Sequence, residues 1–164
     1  MSWQLLVALV LVLPITSQEV FGQTPEPTAA RRHALLVGCT AYPSLPLALR
    51  LEGPGNDVQL LHKLLVKHYG LAEDDITVLA DGEDDKRRPT RANIEAAFRQ
   101  LAQVARRGDQ VLIFLAGHGS QQPNDNPDDA DDPEPDGLDE TFLPSDIGDW
   151  VSEKQRVENA IVDD

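Results

Sequence analysis

His118 stands between Gly117 and Gly119 at the end of an apolar run that begins at Val111. An imidazole that titrates near neutrality is the usual general base of a hydrolytic site. Glycine on either side lets the backbone bend sharply and approach a substrate closely. The Gly119 N–H could also serve a developing oxyanion. The same three residues suit a turn whose histidine is satisfied by backbone hydrogen bonds, and the motif alone does not choose. A base of this kind needs a nucleophile within hydrogen-bond reach, and the chain has a single thiol, Cys39.

The elements that must position these residues alternate between strand and helix. "HALLVG" is a short apolar run closed by Gly38, as a buried strand would be. "NDVQLLHKLLVKHYG" sets Val58, Leu61, Leu64, Leu65 and His68 at helical spacing, with Asn56 or Asp57 as cap and Gly70 as stop. "ITVLAD" reads as a second strand. "PTRANIEAAFRQLAQVARRG" reads as a second helix capped by Thr90, with Ile94, Ala97, Phe98, Leu101 and Ala105 as its buried stripe and Arg106 and Arg107 in its last turn. "QVLIFLAG" is the third strand, and His118 follows its carboxyl end, where open α/β sheets bind ligands. The order βαβαβ predicts an α/β fold, a mainly parallel sheet flanked by helices in three layers.

Residues 121–140 have no apolar periodicity, four prolines and nine carboxylates, and read as an acidic loop. Its spacing fits no EF-hand. Beyond it, "TFLP" suits a short strand, and "VSEKQRVENAIVDD" reads as the start of an amphipathic helix.

Composition narrows the partners. The formal net charge is −14, which argues against a nucleic-acid ligand, because phosphate binding needs a basic face. Bound cations or a basic substrate suit it better. One cysteine leaves no intramolecular disulfide, so packing must hold the core unless an ion helps. Leu5–Ile15 is an apolar run too short to span a bilayer comfortably, with Val20 and Gly22 suitably placed before a cleavage point. The expectation is a signal peptide over 1–22, hence a secreted or periplasmic protein, then a linker over 23–32 and one domain over 33–164. An uncleaved membrane anchor is the rival reading of the first segment.

Taken in order, "HALLVG", "LEGPGNDVQLLHKLL", "PTRANIEAAFRQL", "GDQVLIFLAGHGSQ", "DGLDETFLPSD" and "IVDD" resemble the metacaspase branch of the caspase-like cysteine peptidases, in its bacterial style. The resemblance runs from His33 to Asp164 and covers the amino-terminal part of that catalytic domain. It implies a caspase-like fold, here truncated at its carboxyl end, and a Cys–His dyad in which His118 is the histidine. The family's nucleophile lies in an Asp-x-Cys-x-Ser-Gly motif after the next strand, and no such motif occurs here. Some members carry an extra cysteine where Cys39 stands. Cys39 is therefore read three ways: a small buried core residue, a pocket-lining thiol, or a substitute nucleophile.

The resemblance also implies cleavage after Arg or Lys in protein or peptide substrates. The serine common two residues before the histidine is Ala116 here, and Tyr42 stands about where an aspartate is often found. No cofactor is needed for the chemistry. Ca²⁺ is implied as an activator, held by Asp139 with Asp163 and Asp164. Without a nucleophile the chain itself should be inactive. The rival readings are a non-catalytic acidic Ca²⁺-binding or interaction module, and one half of a split peptidase whose partner chain carries the missing cysteine.

Overall fold

The computed structural model describes residues 4–14, 30–82, 84–124, 134–153 and 155–163, with side chains from residue 30 onward. The strands are β1 (Gln4–Pro14), β2 (Arg32–Gly38), β3 (Ile76–Ala80), β4 (Gln110–Pro123), β5 (Leu138–Phe142), β6 (Trp150–Val151), β7 (Arg156–Val157) and β8 (Ile161–Val162). Two helices, α1 (Gly53–Tyr69) and α2 (Arg91–Val104), form the crossovers. The main sheet runs β3-β2-β4-β5-β8, and β1 also lies along β4.

Its centre is parallel: β3 and β4 flank β2 in register from Ala34↔Ile76 and Arg32↔Gln110 onward. Being covered on both faces, β2 is apolar without alternation, as parallel strands are. Ala34 and Leu36 pack with Val58 and Leu65 of α1 on one face. Leu35 and Val37 pack with Ile94 and Ala97 of α2 on the other. The helix signals read from the sequence act as expected where Gly70 closes α1 in the left-handed region, at φ +63°. They act so again where the Thr90 hydroxyl accepts the Asn93 N–H.

Five expectations are corrected. Helix α1 begins early, at Gly53 with Glu52 rather than Asn56 or Asp57 at the cap position, because Pro54 fits a first turn that lacks N–H partners anyway. Helix α2 ends at Val104, so Arg106 and Arg107 lie beyond its last turn; the Arg106 N–H is instead taken by the Asp109 side chain. The third strand does not stop at Gly117 but continues to Pro123, which places His118 inside β4 rather than past its end. The acidic loop shrinks correspondingly, since β5 pairs antiparallel with β4 from Gly119↔Phe142 to Pro123↔Leu138. The expected last helix is replaced by β6, β7 and β8. Gln155 and Asn159 sit at positive φ there, a backbone that breaks any helix, and Ile161 and Val162 pair with β5 instead.

Residues 4–14, inside the segment read as a signal peptide, form β1 antiparallel to Gln110–Gly119. Residues 15–29, which hold the expected cleavage region and most of the linker, and 125–133, the middle of the expected acidic loop, lie outside the described residues, as does Asp164. Among the described residues no helix is long and apolar enough to cross a membrane.

Candidate active site

The β2 strand ends at Gly38 and the chain turns into a loop, residues 39–52, that folds over the carboxyl end of the sheet. The Asp81 carboxylate, just past β3, accepts the Thr40 and Ala41 N–H groups and fixes the start of that loop. Leu51 N–H reaches back to Thr40 O at 3.2 Å, and a short 3₁₀ turn, Leu47–Leu49, lies between them. The result is that Tyr42 and Leu49 both face β4 at His118.

His118 is 5 % exposed and held on three sides. Its backbone N–H donates to the Tyr42 hydroxyl at 2.8 Å. Its carbonyl accepts the Leu143 N–H at 3.0 Å. Its Nε2 lies 2.6 Å from Leu49 O, and the Tyr42 ring sits against the imidazole, centroids 4.9 Å apart. A carbonyl oxygen can only accept, so Nε2 carries the proton and the basic lone pair is on Nδ1. This is the tautomer a general base needs if the acid proton arrives at Nδ1.

Gly117 is required by this packing. A Cβ there would lie 2.6 Å from the Tyr42 hydroxyl, 3.1 Å from the Phe142 ring and 3.2 Å from the Cys39 Cβ. The reason for glycine is thus close approach rather than the sharp bend expected from the sequence. Gly119 follows from strand geometry. Ala116 O bonds Cys39 N–H and His118 O bonds Leu143 N–H, so even-numbered main-chain groups share one edge of β4. Alternation turns the Gly119 N–H to the opposite edge, along which β1 runs, with Gln4 opposite Gly119.

Cys39 is fully buried in the cluster on the α2 side, with Sγ 3.7 Å from Pro89 O. Burial pushes its thiol pKa well up, and the charge of Asp81 pushes it further. A thiol in that state is not a thiolate at neutral pH, which makes Cys39 a core residue here.

Of the expected cation ligands, Asp163 is brought to the β5–β8 pair, where Asp163 N–H donates to Glu140 O. Carboxylate oxygens of Glu134, Glu140 and Asp163 lie within 4.8 Å of one another. Asp139 is not of that group: one residue along a strand, its side chain is on the other face of β5 and 1 % exposed, with neither oxygen hydrogen-bonded. A cleft of about 610 Å³ lies on the β3 edge between α1 and α2, with Gln59, His62, Asp74 and Asn93 in its walls, and no β4 residue lines it.

Sequence reasoning missed the parts played by Tyr42 and Leu49. Tyr42 was legible only as an unexpected residue in an aspartate's place. Leu49 acts through its carbonyl, which no side-chain pattern reveals.

Comparison with known proteins gives this geometry a family. The model of the metacaspase, peptidase C14 domain, matches residues 32–164. Metacaspase-7 of Arabidopsis thaliana is 38 % identical over 116 residues, 71 % of this chain and 27 % of that protein. Metacaspase-4 of the same plant is 36 % identical over 116 residues, with 71 % and 26 % covered. Metacaspase-1 of Yarrowia lipolytica is 34 % identical over 142 residues, 82 % of this chain and 29 % of that protein. These relatives are plant and fungal rather than bacterial, and the chain spans about a quarter of their length. The chain belongs to the metacaspase family of cysteine peptidases.

Proposed function

We propose that this domain supplies the general base of a metacaspase-type endopeptidase, and that the base is Nδ1 of His118. The observation that carries the reading is the 2.6 Å contact between Nε2 and Leu49 O, which fixes the tautomer from a backbone atom. Nδ1 would take the proton of a cysteine thiol and return it to the leaving amine. Burial of Cys39 argues that the thiol comes from outside residues 1–164, on a further segment or a partner chain. Substrates cleaved after Arg or Lys fit the net charge of −14.

The test has two parts. Residues 1–164 alone should not hydrolyse fluorogenic Arg or Lys peptides, and His118-dependent hydrolysis would return Cys39 to the role of nucleophile. In a longer form that includes a nucleophilic cysteine, His118→Ala should lower kcat by roughly 10²–10⁴-fold. Undiminished turnover would remove His118 from the mechanism.

One observation favours an additional cation role, the Glu134, Glu140 and Asp163 grouping. Hard carboxylate oxygens from two segments suit Ca²⁺, with Asp163 as the expected ligand that lies in it. Millimolar Ca²⁺ should raise the thermal unfolding midpoint, and Asp163→Asn should abolish the rise. An unchanged midpoint removes the cation from the reading. Export through residues 1–22 is part of the same proposal, tested by whether the secreted protein begins at Gln23.

A further inference from the structure

We infer that Tyr42 is a positioning residue for His118, acting on both its backbone and its ring; this rests on the reading of His118 as the base. Three contacts converge on it. The hydroxyl accepts the His118 N–H at 2.8 Å. The phenol ring lies 4.9 Å from the imidazole at an interplanar angle of 49°, which limits rotation of the imidazole. The hydroxyl also occupies the space over Gly117 that a side chain would fill.

The position of β4 explains why such a residue is needed. At Ala116 the strand still leans on β2 through Cys39 N–H, and at His118 O it has passed to Leu143 of the following segment. The His118 N–H falls between those two supports, and the Tyr42 hydroxyl is the acceptor it meets there. A main-chain donor buried without an acceptor costs about 1–3 kcal/mol. Tyr42 supplies the acceptor from a loop anchored by Asp81, and so fixes where the His118 Cα sits relative to Leu49 O. The phenol itself stays neutral: burial, and next the neighbouring Cys39, hold its pKa above the ordinary tyrosine value. A neutral hydroxyl can accept from the amide without placing a charge beside the base.

The test is Tyr42→Phe in the full chain, which keeps the ring and removes the acceptor. Imidazole ¹⁵N shifts, followed through a pH titration, report tautomer and midpoint for each of the four histidines. The His118 amide should exchange at least about tenfold faster, the equivalent of one lost hydrogen bond. The Nε2–H tautomer of His118 should lose population and its midpoint should move, while His33, His62 and His68 stay as they were. A purely structural role would lower the melting temperature and leave the His118 tautomer and midpoint where they are, and that result overturns the inference. Should the variant not fold, the wild-type chain decides: a His118 amide that exchanges as fast as an unstructured one also overturns it. Failure of the proposed function reads differently, as undiminished turnover in His118→Ala with the Tyr42 effects intact.

Discussion

The Nδ1 atom of His118 is basic because Nε2 already gives its proton to a carbonyl, and the carbonyl is in place because a loop is. At this scale small changes have large effects. Gly117→Ala pushes a methyl into the Tyr42 hydroxyl and the Phe142 ring, and should cost about 1–3 kcal/mol, read from the urea midpoint at unchanged slope. Cys39 should react with iodoacetamide only after denaturation, since its raised pKa and burial leave no thiolate exposed. Labelling in the native chain at the rate of a free thiol would contradict the assignment of Cys39 to the core.

Helices and central strands announce themselves because each carries a local signal that its tertiary setting reinforces. Thr90, Gly70 and the apolar run of β2 are of this kind. Thr90→Ala should therefore cost about 1 kcal/mol, by loss of the Asn93 N–H acceptor, measurable by thermal or urea unfolding. The segment after β5 carried a misleading signal. Its apolar residues suit a helix, yet Ile161 and Val162 satisfy their backbone by pairing with β5, and long-range pairing overrides weak local propensity. The candidate site divides the same way. His118 was legible because its chemistry is written in its side chain. Tyr42 and Leu49 were not, because their parts depend on where a loop closes.

On the scale of the whole molecule, the end of the sheet opposite His118 is tied by charge. Asp109, at the start of β4, accepts the N–H groups of Arg31 at 2.8 Å and Arg106 at 2.9 Å. Buried His33 stands between it and Asp75, which is paired with the Arg31 guanidinium. The Arg31 and Arg106 N–H groups hold the Asp109 carboxyl below its ordinary value. A depressed carboxyl pKa contributes stability above its unfolded value, about 3.9, and loses it as pH falls through the folded one. Asp109→Asn should thus be less stable than the parent at pH 7, and the gap should close as the pH falls below about 3.9. A gap that is constant from neutral to acid pH would exclude ionisation of Asp109 as its source. Urea midpoints taken across that range provide the check.

The β4 strand touches β1, β2 and β5, and it is the last of the three central strands in the chain. Arg31 and Asp109 meet across 78 residues, with both helices between them. Closing so wide a loop before any reward from pairing makes the search slower than in a helical bundle of local contacts. Until Gln110 onward is available, β2 has only β3 beside it, and its other edge stays open. A nascent chain at that stage presents an apolar edge strand to its neighbours, which gives a chaperone a definite interval in which to act.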